Sequence, residues 1–373
     1  MKTPVSGAAA TEGGRAARQL AAQVELIYSS DRQPGISRHR AGRGFTYRGP
    51  DDAPVRDGET LARIRKLAIP PAYRDVWICV DSRGHLQATG RDDRARKQYR
   101  YHERWQSLRS EAKFARLLAF GRSLPRLRER VEADLRGRTL NQRWVAALAV
   151  KLLDTTFIRV GNQRYATENR AYGLTTLRAR HMREVHGELR LKFRGKGGKA
   201  RDLLLDDKRL CRLIKRCQEL PGQRLLQFLD DDGRPQPLDS DHVNDYLHEV
   251  LGERFTAKDF RTWAGTVIAL GALVRAPRPD SERSRRQVVT DALREVASYL
   301  GNTPAVCRKS YVHPDVLQAY HDGVLARLRL PADAQWAQLE AATLRFLKQH
   351  ATPAERNLSS LIQRQAADDA AAA

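Results

Sequence analysis

From Ile27 to about Tyr101 the apolar residues come in short runs, punctuated by Gly35, Gly42, Gly44, Gly49 and Gly58. That texture predicts short strands and turns. Val76-Trp77-Ile78-Cys79-Val80 reads as a strand, and Gly84 to Gly90 as its hairpin partner. Asp51-Asp52 and Asp81-Ser82-Arg83-Gly84 carry turn chemistry. A helix over Glu59–Lys66 stops before Ile69-Pro70-Pro71, because proline disfavours helical backbone in the residue before it. From about His102 the spacing becomes helical. Leu108, Ala112, Ala115, Leu118 and Ala119 fall near one face of a helix over Arg104–Phe120, and Asn141–Ile158 forms an apolar helix through Trp144, Ala147, Leu148, Leu152 and Leu153. One interruption follows. Glu188–Arg194 alternates in polarity, Gly195-Lys196-Gly197-Gly198-Lys199 turns, and Ala200–Leu205 returns, which makes a hairpin. Helices resume near Asp207.

The expected fold class is α+β: a small α/β N-terminal domain with antiparallel strands over residues 23–105, and a larger, mostly helical domain over 106–350 that holds a small sheet. Residues 1–22, rich in Ala, Gly, Thr and Arg, read as a flexible tail; 351–373 read as a short helix followed by disorder. No internal repeat is visible.

Composition narrows the function. The 373 residues hold 67 Lys plus Arg against 44 Asp plus Glu, a net charge of +23, while 41% hydrophobic residues supply material for cores. A disordered basic chain is therefore not expected, and a polyanion, nucleic acid first, is the expected partner. No run approaches the roughly 20 apolar residues of a membrane span, and no secretory leader is visible. Cys79, Cys211, Cys217 and Cys307 are too few and scattered for a disulfide framework, which points to a reducing, cytoplasmic setting.

Several motifs can be set aside. Gly195-Lys-Gly-Gly-Lys-Ala lacks the four-residue gap and the Ser or Thr of a phosphate loop. No Rossmann triplet, no His-Glu-x-x-His and no acidic two-metal cluster occurs, and Cys211 and Cys217 read as structural helix cysteines rather than zinc ligands. Metal-free phosphodiester cleavage instead needs a nucleophile, fixed cations for the transition-state oxygens, and an acid for the leaving oxygen. The C-terminal half offers such a set: Arg159 beyond an apolar helix, Lys196 on the glycine turn, Arg261 near a helix start, Asn302 before Thr303-Pro304 (an N-cap followed by a first-turn proline), and Tyr311 late in the helix that follows.

Six segments around these residues resemble, in order, the type IB DNA topoisomerases, in particular their bacterial and poxvirus-like branch. They are Ile69-Pro-Pro-Ala-Tyr-Arg-Asp-Val-Trp-Ile, Arg96-Lys-Gln-Tyr-Arg-Tyr, Arg159-Val-Gly-Asn-Gln-Arg-Tyr, Tyr172-Gly-Leu-Thr-Thr-Leu, Lys258-Asp-Phe-Arg-Thr-Trp-Ala and Leu300-Gly-Asn-Thr-Pro. The resemblance implies a two-lobed clamp on double-stranded DNA and a monomer. It implies that Tyr311 attacks one strand to leave a 3′-phosphotyrosyl link, that Lys196 is the general acid to the 5′-oxygen with Arg159 assisting, and that Arg159 and Arg261 hold the phosphate oxygens. Asn302 stands where poxvirus members carry a histidine; its amide can donate a hydrogen bond but not a proton, so its expected role is electrostatic. Strand rotation and religation then relax supercoils of either sign without ATP, metal or other cofactor. Arg96, Gln98, Tyr99 and Tyr101 are expected to contact DNA from the N-terminal domain, and Tyr165 from the catalytic one.

Each residue has a plainer reading. Arg159 is a cation at a helix end, Lys196 and Lys199 are exposed turn lysines, and Arg261 is an ion-paired arginine. Asn302 with Gly301 is a helix C-cap, Tyr311 a packing tyrosine, and Tyr99 with Tyr101 one strand face. Their joint order favours the catalytic reading. His181, His186 and His313 are assigned no role. A tyrosine recombinase is the nearest rival, but Lys258 occupies the position where recombinases typically carry a histidine; a non-enzymatic DNA-binding protein would explain the charge and not the constellation.

Overall fold

The computed structural model describes residues 18, 21–22, 24–93, 95–252, 255–353 and 355–356. Most of the two expected tails lies outside these residues. Ala21, near the end of the expected N-terminal tail, is buried against Leu26 and Trp105. The chain divides between Lys113 and Phe114 into two compact units.

The first unit is built on a five-stranded antiparallel sheet: β1 (Ile36–Ala41), β2 (Gly44–Arg48), β3 (Arg74–Ile78), β4 (Leu86–Arg91) and β5 (Lys97–Tyr101), in the order β2-β1-β3-β4-β5. The expected hairpin is β3 with β4, in the register Trp77↔Thr89 and Ile78↔Ala88. Helix α1 (Gly58–Lys66) starts where the Asp57 carboxylate accepts from Thr60 N. Its Ile64 packs with Ile36, Val76, Ile78 and Ala88 to form the core. Arg63 ties the helix to the sheet, donating to Gln87 Oε1 and to the Cys79 carbonyl, each at 2.7 Å.

The helix expected over Arg104–Phe120 is two: α2 (Glu103–Ala115) and α3 (Leu117–Asp134). The two halves serve different cores, which the single apolar face read from the sequence concealed. Trp105 belongs to the cluster with Ala21 and Leu26, while Phe114, Leu117, Leu118 and Phe120 join the large second core.

The second unit is mostly helical. Helix α4 (Gln142–Thr156) is capped by Asn141, whose side chain accepts from Trp144 N, and ends at Phe157 in the left-handed conformation, φ 52°. It is followed by α5 (Gln163–Asn169), a three-stranded antiparallel sheet of β6 (Met182–Val185), β7 (Glu188–Arg194) and β8 (Ala200–Leu205), and α6 (Lys208–Gln218). The expected hairpin is β7 with β8; β6 is an added edge strand that the sequence pattern did not signal. A short hairpin, β9 (Gln227–Leu229) with β10 (Pro235–Pro237), precedes α7 (Ser240–Leu251). Helix α8 (Ala257–Arg275), buried along almost its whole length, is the axis of this unit. Around it pack α3, α4, α7, α9 (Glu282–Leu300), α11 (Pro314–His321) and α12 (Trp336–His350), with α10 (Pro304–Ser310) packed on α9. Among the described residues no helix is long and apolar enough to cross a membrane.

Candidate active site

The second unit brings Arg159, Arg261, Asn302 and Tyr311 together, although they lie up to 152 positions apart in sequence (311 − 159). Tyr311, expected late within α10, is instead the residue that caps it; its N–H bonds the Cys307 carbonyl at 2.9 Å. Its backbone lies against α8 where the helix has Gly265. A Cβ there would come within 2.5 Å of the Tyr311 carbonyl oxygen, so only glycine permits this approach. Next along the helix, buried Thr266 donates to the Tyr311 carbonyl at 3.3 Å and accepts from His313 N at 3.1 Å. The backbone of Tyr311 is thus fixed, and the residue is partly buried against the core of this unit.

Arg261, 3% exposed, is held by two carbonyls: Phe157, which the left-handed turn presents to it, and Leu300 at 2.7 Å. Left-handed backbone in a phenylalanine costs about 1–2 kcal/mol, and here it is spent at the site. The Arg261 guanidinium sits 5.1 Å from the centre of the Tyr311 ring. Burial and the nearby Arg159 charge pull Arg261 down to about 10, so it keeps its charge at neutral pH in a dry setting where that charge acts strongly. Burial alone would raise the Tyr311 phenol, but the charges of Arg261, Arg159 and Lys196 outweigh it and set the phenol below its ordinary value.

Arg159 emerges three residues beyond α4 on a loop clipped to the segment Gly173–Thr175. Leu174 N bonds the Arg159 carbonyl at 2.8 Å, and Thr175 N bonds the Val160 carbonyl at 2.7 Å. Gly173 permits this, since a Cβ there would meet the Arg159 carbonyl and Gly161 at 2.6 Å. The Arg159 guanidinium donates to Asn302 Oδ1. Asn302 follows the left-handed Gly301 that ends α9, and Thr303 and Pro304 start α10 as expected. Two donors in this cluster, Arg261 Nε and Asn302 Nδ2, are buried without a hydrogen-bond partner; the Cys307 thiol beside Asn302 is at best a weak acceptor.

Lys196 is exposed on the one-turn 3-10 segment Lys196–Gly198 between β7 and β8, where Gly197 and Gly198 adopt φ of 75° and 76°. Lys199 is more than a turn lysine: its Nζ donates to the Asn302 carbonyl at 2.6 Å. Arg201, which sequence reasoning did not single out, donates to the carbonyls of Tyr299 at 2.8 Å and Ser298 at 3.3 Å at the end of α9. Together they dock the lysine hairpin on the loop that carries Asn302.

Two comparisons with known proteins bear on this arrangement. Residues 102–330 match the family model described as eukaryotic DNA topoisomerase I, catalytic core, and residues 44–92 match that of the bacterial DNA topoisomerase IB N-terminal domain. A DNA topoisomerase 1B of Acanthamoeba polyphaga mimivirus is 33% identical over 296 residues, covering 77% of this chain and 88% of the relative. The chain belongs to the type IB DNA topoisomerases. A DNA topoisomerase 1B of Vaccinia virus (strain Copenhagen) is 21% identical over 259 residues, 67% of this chain and 76% of its own length. As a type IB topoisomerase the enzyme is an isomerase that acts on DNA, relaxing supercoils through a transient single-strand break.

The other expected contacts lie in two places. Arg96, Gln98, Tyr99 and Tyr101 are in the first unit, on or beside β5. Arg96 Nε and Gln98 Nε2 both reach Asp92, at 2.8 and 3.0 Å, and the rings of Tyr99 and Tyr101 stack 6.0 Å apart on one strand face. Tyr99 is half-exposed. Tyr165, also half-exposed, is on α5 in the second unit. His313 is a cap, its Nδ1 accepting from Asp315 N, and His181 Nδ1 accepts from Arg178 N. Cys211 and Cys217 are both buried on α6.

Proposed function

We propose that Tyr311 is the nucleophile of this topoisomerase and that Arg159, Arg261, Asn302 and Lys196 act with it on the scissile phosphate. The observation that carries the assignment is the pair of buried, unpartnered donors, Arg261 Nε and Asn302 Nδ2, in the cluster around a tyrosine whose phenol neighbouring arginines set below its ordinary value. Buried donors without acceptors are costly in a folded protein and are met where a ligand supplies the acceptor. A tetrahedral anion with several free oxygens suits two guanidiniums and an amide.

In this reading the Tyr311 oxygen bonds phosphorus as its proton passes to solvent, and the bond to the 5′-oxygen breaks. Arg159 and Arg261 hold the non-bridging oxygens as charge builds on them. Asn302 orients Arg159 through its carbonyl oxygen and donates through its amide. Lys196, exposed beside two left-handed glycines, delivers a proton to the leaving 5′-oxygen. Reversal of the same steps reseals the strand, with no ATP or metal consumed. Arg96, Gln98, Tyr99, Tyr101 and Tyr165 contact the duplex, cations meeting phosphates and rings meeting sugars or bases. We further propose that the enzyme is a monomer, and that it acts in the cytoplasm, a reducing setting that suits its four free thiols.

The test is relaxation of supercoiled plasmid in EDTA without ATP, by wild type and Tyr311→Phe side by side, with denaturing gels for the covalent complex. Wild type relaxes and forms a 3′-linked adduct; Tyr311→Phe binds DNA equally and does neither. Residual relaxation by Tyr311→Phe would remove Tyr311 as nucleophile.

A further inference from the structure

Outside the catalytic cluster the second unit holds a cavity of about 470 Å³ whose wall carries four arginines: Arg170, Arg178, Arg180 and Arg224. Gln163, Thr167, Tyr172 and Thr176 add neutral polar groups, and no carboxylate lines it. Elsewhere this protein pairs its cations readily, as Arg128 does with Asp154 and Glu340, or Arg143 with Asp134 and Glu249. Here Arg178, Arg180 and Arg224 donate to neutral acceptors, and none of the four arginines forms an ion pair among the described residues. Arg178 donates to Gln223 Oε1 at 3.1 Å and Arg180 to the Tyr172 hydroxyl at 3.3 Å. Arg224 donates to the Thr175 carbonyl at 3.1 Å and to Gln163 Oε1. Burial, then the charge of Arg178, lowers the pKa of Arg224, with Tyr172 opposing the shift.

We infer that this cavity is a phosphate site, distinct from the cleavage centre, that takes a backbone phosphodiester of the bound duplex. The inference rests on the enzyme's acting on DNA as proposed. The chemistry fits, since planar guanidiniums grip phosphate oxygens in pairs and four of them without carboxylates favour an anion strongly. The position argues for DNA over a free phosphorylated metabolite. The cavity wall includes Thr176, and Arg224 bonds the carbonyl of Thr175, the residue whose N–H holds the loop carrying Arg159. Gln163 and Thr167 belong to α5, the helix of half-exposed Tyr165. A phosphate held here is therefore close along the fold to the one being cut, as neighbouring phosphates of one duplex are.

The test measures non-covalent binding, so it does not depend on cleavage. Full-length Tyr311→Phe and Tyr311→Phe/Arg178→Gln are titrated with a short duplex over a series of salt concentrations. Losing one phosphate contact should flatten the slope of log affinity against log salt by about 0.9, and weaken binding alike on unrelated sequences. Arg178→Lys, which keeps the charge, should restore most of the slope. Arg180→Gln serves as the second variant should Arg178→Gln melt at a lower temperature than its parent. An unchanged slope in folded variants of both residues overturns the site. So does Arg178-dependent thermal stabilisation by inorganic tripolyphosphate with no change in the DNA slope, which would make the ligand a free polyphosphate. Plasmid relaxation by the otherwise wild-type protein reports separately on the topoisomerase assignment.

Discussion

Tyr311 gathers three cations around one phenol, and the balance of forces on that phenol is measurable. Burial favours the neutral form; Arg261, Arg159 and Lys196 favour the phenolate and win. A lowered value means that the anion appears at lower pH than in an ordinary tyrosine, so removal of a cation must move the titration upward. Arg159→Ala is expected to return Tyr311 toward the usual tyrosine range, by about one unit for each 1.4 kcal/mol of lost attraction. Tyrosine-selective NMR or difference absorbance on the free enzyme checks this, and a downward move would show that Arg159 does not face the phenol. At this scale the sequence disclosed the four residues that the fold brings together but not what seats them. Arg159, Arg261, Asn302 and Tyr311 were found by type and order. Gly265 and Thr266, which seat Tyr311, give no signal in one chain, because their role is fixed by a backbone more than 40 positions away (311 − 266 = 45).

The lysine hairpin shows the same division between elements. Its alternation and its glycines were legible, as was the Thr303 cap, since these are local signals of side-chain periodicity and hydrogen bonding. Strand β6 was not, because Met182–Val185 is too short to alternate convincingly and exists by pairing with β7. The docking of the hairpin on α9 was also hidden, being made by Arg201 and Lys199 to carbonyls about a hundred residues on. It carries a prediction. If Lys196 protonates the 5′-oxygen, Lys196→Ala should slow cleavage by roughly 10²–10⁴-fold on an ordinary phosphodiester and far less where that oxygen is replaced by sulfur, a leaving group that needs no acid. Arg201→Ala, which frees the base of the hairpin, should follow the same pattern more weakly, up to about 100-fold, as expected for misplacement of an acid. Equal slowing on both substrates would assign Arg201 to the fold alone.

Across the second unit a polar knot joins helices that the apolar core alone would leave free to slide. Arg128 on α3 bonds Asp154 on α4 and Glu340 on α12, and Glu340 accepts from Trp263 Nε1 on α8 at 2.7 Å. Glu340 is 8% exposed, so removal of Arg128 leaves a carboxylate in a dry site. Loss of one partner of a buried pair costs about 3–5 kcal/mol; Arg128 is itself partly solvated, which puts Arg128→Met near the low end, about 3 kcal/mol. Urea unfolding should show this as a lowered midpoint, with part recovered in Arg128→Met/Glu340→Gln, and single-turnover cleavage well below the midpoint should be unchanged. A full loss of cleavage in the folded variant would mean that the knot also sets the geometry of α8 beneath Tyr311.

All four cysteines are buried, and Cys307 lies at the foot of the Asn302 loop with no exposed surface. Burial pushes the thiols of Cys211 and Cys307 up and that of Cys217 up to about 12, whereas alkylating reagents react with thiolate. In the native state each of these three sulfurs is therefore silent until the structure around it opens. Cys307 becomes a clock: its rate of alkylation, read by mass spectrometry, counts how often the floor of the Tyr311 cluster comes apart, and if a bound duplex ties Arg159, Asn302 and Tyr311 to one phosphate, as proposed, it should slow that count.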